Sequence, residues 1–414
     1  MEERPRALED VRVLDFSHIL AGPYCTRQLA DLGAEVIKIE PPIIGELSRF
    51  VGLHYWWYCN CGKKSLSLDL KQPRAIGIVR ELAKLCDVVV ESFKPGTMAR
   101  LGIDYAVLKE INPGIIMCSI TGFGQYGPYS HLPATAPVAH SVSGLEWLIG
   151  ITVDPDGPPQ APGFALGDTV GAVHAVAAIC GALYYREKTG VGQHIDIALV
   201  DCLFGINDRV QQHILAGTHQ MASVSTSMIY PGRDGYLTVQ CASQQMLNAL
   251  ARVMGKPDLF TDVTLQLDTP ERRSQHLNLL NQMIGEWLQG FESVLDVLPI
   301  LQEAGVICAP ILSIEEAMND PQLLARQMLS EIDDPERGRI KIVNTPFRFS
   351  DTEAGLKGSL PRLGEHNKEV LISILGYSNK EIAKLREDGV IYSDLRGYSL
   401  EEILKLEQEA AEEE

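Results

Sequence analysis

The first 125 residues of this chain alternate short apolar strand signals with helix-period segments, and that alternation leaves little choice of fold. Val11-Arg12-Val13-Leu14-Asp15-Phe16 reads as a strand. Ala21-Gly22-Pro23 is a turn that puts proline at the opening of a helix, where its missing N–H goes unused. Tyr24 to Leu32 continues that helix, and Gly33 ends it. Residues 34–40, AEVIKIE, make a second strand, 75–85 a helix, 87–91 a buried strand, and 114–121, GIIMCSIT, another. Buried strands separated by helices imply a parallel sheet with helices on both faces, an α/β architecture.

Beyond residue 127 the texture changes. Residues 128–167 are rich in Pro, Gly and Ala and read as an ordered excursion over the sheet. A helix opens at Thr169, runs to about Arg186 and closes at Gly190. Residues 205–230 are mixed and fit a crossing segment. Strand and helix signals restart from Asp234 to about Arg326, which suggests a smaller α+β domain. Residues 337–375 return to strand and turn signals.

The chain has 54 acidic and 36 basic residues, a net charge of -18. That balance argues against a nucleic acid or an anionic membrane as partner. Part of it lies in the tail, 401–414, whose seven Glu and one Lys contribute -6 and leave -12 elsewhere. The nine Cys are scattered through apolar surroundings, which suits reduced thiols in a cytoplasmic protein better than a disulfide framework. Cys59-Asn60-Cys61 lacks zinc spacing, so no metal is expected. The charged start, MEERPRALEDVR, shows no signal peptide. The longest apolar run, about 16 residues with His174 inside it, is short for a membrane span.

Gly122-Phe123-Gly124-Gln125-Tyr126-Gly127 matches G-x-G-x-x-G, but Pro128 and Pro133 follow where a dinucleotide fold needs a helix. These glycines are better read as allowing a tight turn or a close backbone approach. Lys63, Lys64, Lys71, Lys94 and Arg100 all follow strand ends, where open α/β sheets bind ligands, and could hold a phosphorylated one. Asp168, in Gly167-Asp168-Thr169 before the apolar run, is either a helix cap or a nucleophile that splits an acyl transfer into two steps. His18, His140 and His174 lie in or near apolar segments and read as core or cleft histidines.

Segment after segment resembles the class III CoA-transferases, the family of formyl-CoA transferase, the carnitine CoA-transferases and their relative α-methylacyl-CoA racemase. The matching stretches are LDFSH at 14–18 with Ala21-Gly22-Pro23, LGAEVIKIE at 32–40, NCGKKSLSLDLK at 60–71 and ESFKPGTMARLGI at 91–103. Gly167-Asp168, EKTGVGQHIDIALVD at 187–201, AGVICAPI at 304–311 and LGEHNKEVL at 363–371 follow. The resemblance implies a Rossmann-like large domain with a parallel sheet and a smaller α+β domain. On that basis residues 1–204 begin the large domain, 205–233 cross over, 234–326 form the small domain, and 327–414 return and complete the large one. It also implies two chains interlocked like links, as a homodimer or with a paralogous subunit.

In the family the Asp matching Asp168 attacks the acyl-CoA thioester, giving an aspartyl anhydride and then an aspartyl-CoA thioester. The resemblance carries CoA contacts onto Leu20, Ala21, Leu68, Lys71, Ser92, Phe93, Lys94 and Arg100. CoA thioesters are then substrates, and no separate cofactor is expected. Leu20 stands where formyl-CoA transferase has a glutamine. Pro41 stands where it has a basic residue, and Lys38 is expected to compensate. Family racemases carry Gly-His-Asp near Ala134-Thr135-Ala136, so Thr135 argues for a transferase. Pro133, Ala134, Thr135 and His140 are expected at the acyl site, which looks more apolar and roomier than a formyl or oxalyl site. A glycine-rich lid has no clear counterpart in Ser225–Gly235. Succinyl-CoA or another short dicarboxylyl-CoA is the expected donor, with a bulky or aromatic acid as acceptor. The alternatives are an acyl-CoA racemase pairing Asp168 with His140, and a non-catalytic CoA-binding subunit.

Overall fold

The computed structural model describes residues 4–154, 156–217, 226–334 and 338–393. The chain divides into two compact units, Met1–Val210 with Gln327–Glu414, and Gln211–Arg326. The acidic tail lies outside the described residues.

The first unit is built on one wholly parallel sheet. Its strands are β1 (Arg12–Asp15), β2 (Glu35–Glu40), β3 (Lys64–Ser67), β4 (Val88–Glu91), β5 (Ile116–Thr121) and β6 (His194–Ala198). Their order is β3-β2-β1-β4-β5-β6. The chain therefore runs from β1 to one edge, returns to the centre at β4 and runs to the other edge. That reversal opens a crevice at the carboxyl ends of β1 and β4, where open sheets of this kind take their ligands.

The connections are α1 (Ala21–Asp31), α2 (Leu53–Asn60), α3 (Pro73–Ala83), α4 (Thr97–Leu101) and α5 (Tyr105–Ile111). Next come α6 (Ala136–Val142), α7 (Leu145–Val153), α8 (Leu166–Thr189) and α9 (Leu199–Gly205). The proline-rich excursion thus holds two helices. The chain then leaves through α10 (Asp208–Ala216).

Side chains alternate across the sheet. Phe16, Ile37, Leu66, Val89 and Met117 pack on Ile78, Leu82, Met98 and Leu108 on one face. Val13, Val36, Val90, Ile116 and Cys118 pack on Leu29, Ala139, Ala175 and Ile179 on the other. Each such side chain, fully buried, contributes about 1.5–3 kcal/mol. All nine cysteines are free thiols.

Helix α8 opens at Leu166 rather than Thr169 and runs 24 residues to Gly190, whose φ of +73° closes it. It is long and apolar enough, by length and composition, to cross a membrane. Here Gly171, Ala172, Ala175, Val176, Ile179 and Ala182 bury one stripe of it in the second face. Gly171 and the three alanines among them let it lie close to its neighbours.

In the second unit β7 (Thr226–Pro231), β8 (Tyr236–Cys241) and β9 (Ile307–Pro310) pair antiparallel in that order. Helices α11 (Gln244–Val253), α12 (Pro270–Gln275), α13 (Leu277–Leu288), α14 (Val294–Glu303), α15 (Ile314–Ala317) and α16 (Pro321–Ala325) complete it. Leu237, Leu250, Ile284, Val297 and Leu301 form its core. The segment 205–233, expected only to cross over, thus carries α10 and β7. Most of the stretch sought as a lid is the β7–β8 hairpin, closed by Gly232 N–H donating to the Gly235 carbonyl. Ser225 lies outside the described residues.

The returning chain forms a hairpin, β10 (Leu329–Asp334) and β11 (Gly338–Val343), then α17 (Asn367–Ser373) and α18 (Asn379–Glu387). Val370, Leu371, Ile382 and Leu385 from the last two helices join the first face of the large sheet.

Candidate active site

The crevice is shaped by a buried ionic cluster under the turn after β1. Asp15 and Lys38 are cross-strand partners on β1 and β2. Asp15 is fully buried and accepts hydrogen bonds from Lys63 Nζ at 2.9 Å, Thr26 Oγ1 at 2.7 Å and the Ser17 amide at 2.9 Å. Burial raises its pKa, but the Lys38 and Lys63 ammoniums and the Ser17 and Thr26 hydroxyls more than reverse that, holding it well below the usual carboxylate range. Lys38 donates to the Ser17 carbonyl at 2.8 Å and lies 3.6 Å from both Asp15 and Glu46. Burial pushes its pKa down, but Asp15, Glu46 and Glu40 push it further up, so it stays charged. Lys38 is therefore a buried counter-ion, not the phosphate ligand expected from sequence: no part of it reaches solvent.

Glu46 Oε1 accepts from the Ile19 amide at 2.7 Å and the Ser48 amide at 3.1 Å. Ile19 sits at φ +65°, a left-handed conformation that costs a non-glycine residue about 1–2 kcal/mol. The buried carboxylate holds it there and leaves the residue 42% exposed. Gly22 is required three residues on, because a Cβ there would lie 2.1 Å from Ser17 Cβ. That close approach seats the first turn of α1, including Leu20 and Ala21, against the end of β1.

The β1 and β4 turns are tied together. His18 donates its amide to Ser92 Oγ at 3.0 Å, and its ring lies 5.3 Å from that of Phe93. Burial first, and then the Lys38 ammonium, push the His18 imidazole below its ordinary range. Glu91 Oε2 accepts the Phe93 amide at 2.7 Å and shapes the second turn. Of the residues expected to contact CoA, Leu20, Ala21, Ser92 and Phe93 meet here, with Lys94 and Arg100 exposed on the loop and helix that follow β4. Lys71 is exposed after β3, while the Leu68 side chain lies wholly in the core. Ile19 and Glu46 were not expected as site-shaping residues; the bond between them joins segments 27 residues apart, and no local motif marks them.

Asp168 stands at the same end of the sheet. Helix α8 links the carboxyl side of β5 to the start of β6, so its N-terminus lies at the carboxyl ends of the strands. Asp168 occupies the third position of α8, and the N-cap is Ala165, which offers no side-chain cap. The cap reading is thus corrected. Among the described residues no ion pair or neighbouring side chain holds the Asp168 carboxylate. Half-buried, it is pushed up to a pKa of about 6 by burial, only partly opposed by its own amide.

His140 was expected to line the acyl site. It is buried instead, and its Nε2 accepts the Gly167 amide at 3.0 Å. The imidazole is committed to the helix backbone, which removes it as the acid/base partner a racemase would need. Thr135 and Pro133 are exposed just before α6, and Ala134 packs under Gly122, where a Cβ would come within 2.2 Å of Ala134 Cβ. Gly124 and Gly127 adopt φ of +82° and +97°, and the Gln125 amide binds Asp196, so the G-x-G-x-x-G segment is a loop anchored to β6 with no helix behind it. Among the described residues no group of side chains is arranged to hold a metal. A cavity of about 720 Å³ lies at the opposite, amino end of the sheet, lined by Arg6, Gly33, Gly62, Lys64 and Lys357. It is remote from the strand ends where this fold binds ligands.

The sequence profile described as CoA-transferase family III matches residues 8–367. The chain belongs to that family. The succinyl-CoA–D-citramalate CoA-transferase of Chloroflexus aurantiacus is 34% identical over 403 residues, spanning 94% of this chain and 98% of that protein. The formyl-CoA:oxalate CoA-transferase of Streptomyces coelicolor is 35% identical over 419 residues, spanning 93% and 99%. The crystal structure of a CaiB/BaiF family protein from Brucella suis aligns at a TM-score of 0.78 and 32% identity, covering 89% of this chain and 99% of that one. The family III assignment makes this chain an enzyme of the CoA-transferase class and fits acyl-CoA as its substrate.

Proposed function

We propose that this enzyme moves CoA from a short dicarboxylyl-CoA, succinyl-CoA foremost, to a second carboxylic acid, with Asp168 carrying the acyl group and then CoA. Asp168 Oδ attacks the thioester carbonyl and expels CoA thiolate, leaving a mixed anhydride. The thiolate attacks the aspartyl carbonyl, releases the donor acid and leaves an aspartyl-CoA thioester. The acceptor carboxylate displaces the thiolate to form a second anhydride. Attack of the thiolate on the acceptor's acyl carbonyl then gives the new acyl-CoA and restores Asp168. Each step exchanges one acyl bond for another and calls for no cofactor beyond the CoA substrates.

The observation that carries this reading is the Asp168 carboxylate, left without an ionic partner and raised by burial to a pKa of about 6. A weak nucleophile gains reactivity when water is stripped from it and no counter-ion replaces that water. At pH 7 it is still mostly ionised. The exposed apolar stretch at Pro133 and the Leu20 position favour an acceptor larger than oxalate, and relatives named for succinyl-CoA support the donor. Lys71, Lys94 and Arg100 would meet the phosphates of CoA. We place the enzyme in the cytoplasm, acting as an interlocked pair with a second copy or a paralogous subunit.

Thioester exchange followed by mass spectrometry tests this. The protein is mixed with succinyl-CoA and a panel of carboxylates, beside Asp168→Ala. New acyl-CoA species absent from the variant are expected. Exchange that persists in the variant, or faster transfer to formate or oxalate than to larger acids, contradicts the reading.

A further inference from the structure

We infer that His140 is a positioning residue: a neutral imidazole that caps α8 from another helix and sets the turn carrying Asp168. This rests on the assignment of Asp168 as nucleophile. The first turn of any helix has backbone N–H groups with no intrahelical acceptor, and α8 has no capping side chain of its own. The Leu166 amide turns back to the Phe164 carbonyl, and the first regular bond runs from Thr169 to the Ala165 carbonyl at 3.2 Å. Between them the Gly167 amide donates to His140 Nε2 at 3.0 Å. His140 is 3% exposed, so water does not compete for that bond.

The sequence is built for this approach. A Cβ on residue 167 would lie 3.3 Å from Leu203 Cδ1 and 3.6 Å from both Ala136 Cα and Ala139 Cβ. Glycine at 167 and alanines at 136 and 139 let α6 come close enough for the imidazole to reach the helix backbone. The bond fixes the residue before Asp168, and with it the direction of the carboxylate.

The bond also fixes the charge. An imidazole that accepts at Nε2 carries its proton on Nδ1 and is neutral. Protonation would put a second donor against the Gly167 amide and a cation at the positive end of a helix dipole. Burial likewise pushes the His140 pKa down, with Glu146 the opposing charge. The charged groups nearest His140 along the elements packed on α6 are Glu146 on α7, Asp168 on α8 and the exposed Asp201 on α9. The cations of α8, Arg186 and Lys188, lie with Glu187 in its last turn, about 28 Å along the helix from Gly167. His140 thus braces Asp168 without pairing with it, and the carboxylate keeps its raised basicity. A cationic side chain in its place could not accept the Gly167 amide and would lower that basicity.

The test compares His140→Gln, whose amide oxygen can accept the same bond but cannot titrate, with His140→Leu, which fills the space without an acceptor. The leucine variant is expected to lose about 10- to 100-fold in kcat, the scale of a small misplacement of a reacting group, with KM for acyl-CoA within threefold of wild type. The glutamine variant should stay within about fivefold of wild type. Amide hydrogen exchange across residues 165–170 should quicken in the leucine variant and stay protected in the glutamine variant. This readout needs no activity, so it stands even if the wild-type protein transfers no CoA and the functional reading falls. A glutamine variant as impaired as the leucine one would assign the imidazole to the chemistry itself and overturn the inference. Unchanged exchange in the leucine variant would do so too. Should the leucine variant not fold, the glutamine variant decides: retained kcat and protection support the cap, and loss of either refutes it.

Discussion

Replacing Asp168 by Asn should stabilise the protein while abolishing transfer, and the gain should depend on pH. A carboxyl that ionises near pH 6 when folded and near about 3.9 when unfolded carries a folding penalty of about 3 kcal/mol once both states are ionised. The sign follows from protonation. Below pH 3.9 both states hold the proton and the penalty is absent. It grows as pH rises, reaches about half its full value near pH 5 and is complete above pH 7. Two effects reduce it: Asp168 is only part-buried, and the α8 dipole favours a negative charge in its first turn by about 0.3–1 kcal/mol. A net gain of about 1–3 kcal/mol at pH 8 remains, which for a unit of this size is a rise in Tm of roughly 2–6 °C. The assay is thermal unfolding of wild type and Asp168→Asn without acyl-CoA at pH 5 and pH 8. The reasoning fails if the variant is no more stable at pH 8, or if its advantage is the same at both pH values. Either result would mean that Asp168 ionises like an exposed carboxylate and has no raised basicity to use.

Other outcomes follow from the same structure. Protonation disarms the nucleophile, so kcat/KM should fall about tenfold per pH unit below the Asp168 pKa of about 6; a profile flat down to pH 5 would contradict it. Lys38→Met and Lys63→Met each leave Asp15 with one buried ammonium instead of two, and should cost about 3–5 kcal/mol in denaturant unfolding. A loss below 1 kcal/mol would place those lysines outside the cluster. Lys94→Ala and Arg100→Ala should raise KM for acyl-CoA at least several-fold with Tm unchanged, since both side chains are exposed beside the crevice. Unchanged KM in both would move the CoA phosphates elsewhere.

The parallel sheet was legible because strands buried on both faces read as apolar runs, as in Val88-Val89-Val90, and because Gly33 and Gly190 punctuate the helices. Asp168 stood out in the sequence at the mouth of the apolar run, but its place inside the helix did not. Nothing local says that Ala165, three residues earlier, opens the turn. Lys38 misled for a related reason. Within AEVIKIE it looks like a cation at the end of a strand, and only the Asp15–Lys38 register between β1 and β2 shows that it faces a carboxylate inside the sheet. His140 and Gly167 are 27 residues apart, and the bond between them exists only once α6 has packed on α8. The left-handed turn at Ile19 was equally hidden, since a β-branched residue is a poor candidate for that conformation and is held by Glu46 from a later loop. What a single sequence conceals here is pairing across the fold, and those pairings set the charge and geometry of the site.

The most direct test of the central claim is isotopic. With an acceptor acid labelled with ¹⁸O in its carboxylate, turnover through two anhydrides delivers one acceptor oxygen to Asp168 each cycle. After several turnovers with succinyl-CoA, the peptide containing Asp168 is isolated and weighed. The account predicts heavy oxygen in that carboxylate and in no other Asp or Glu of the chain. New acyl-CoA formed with Asp168 still unlabelled would contradict it.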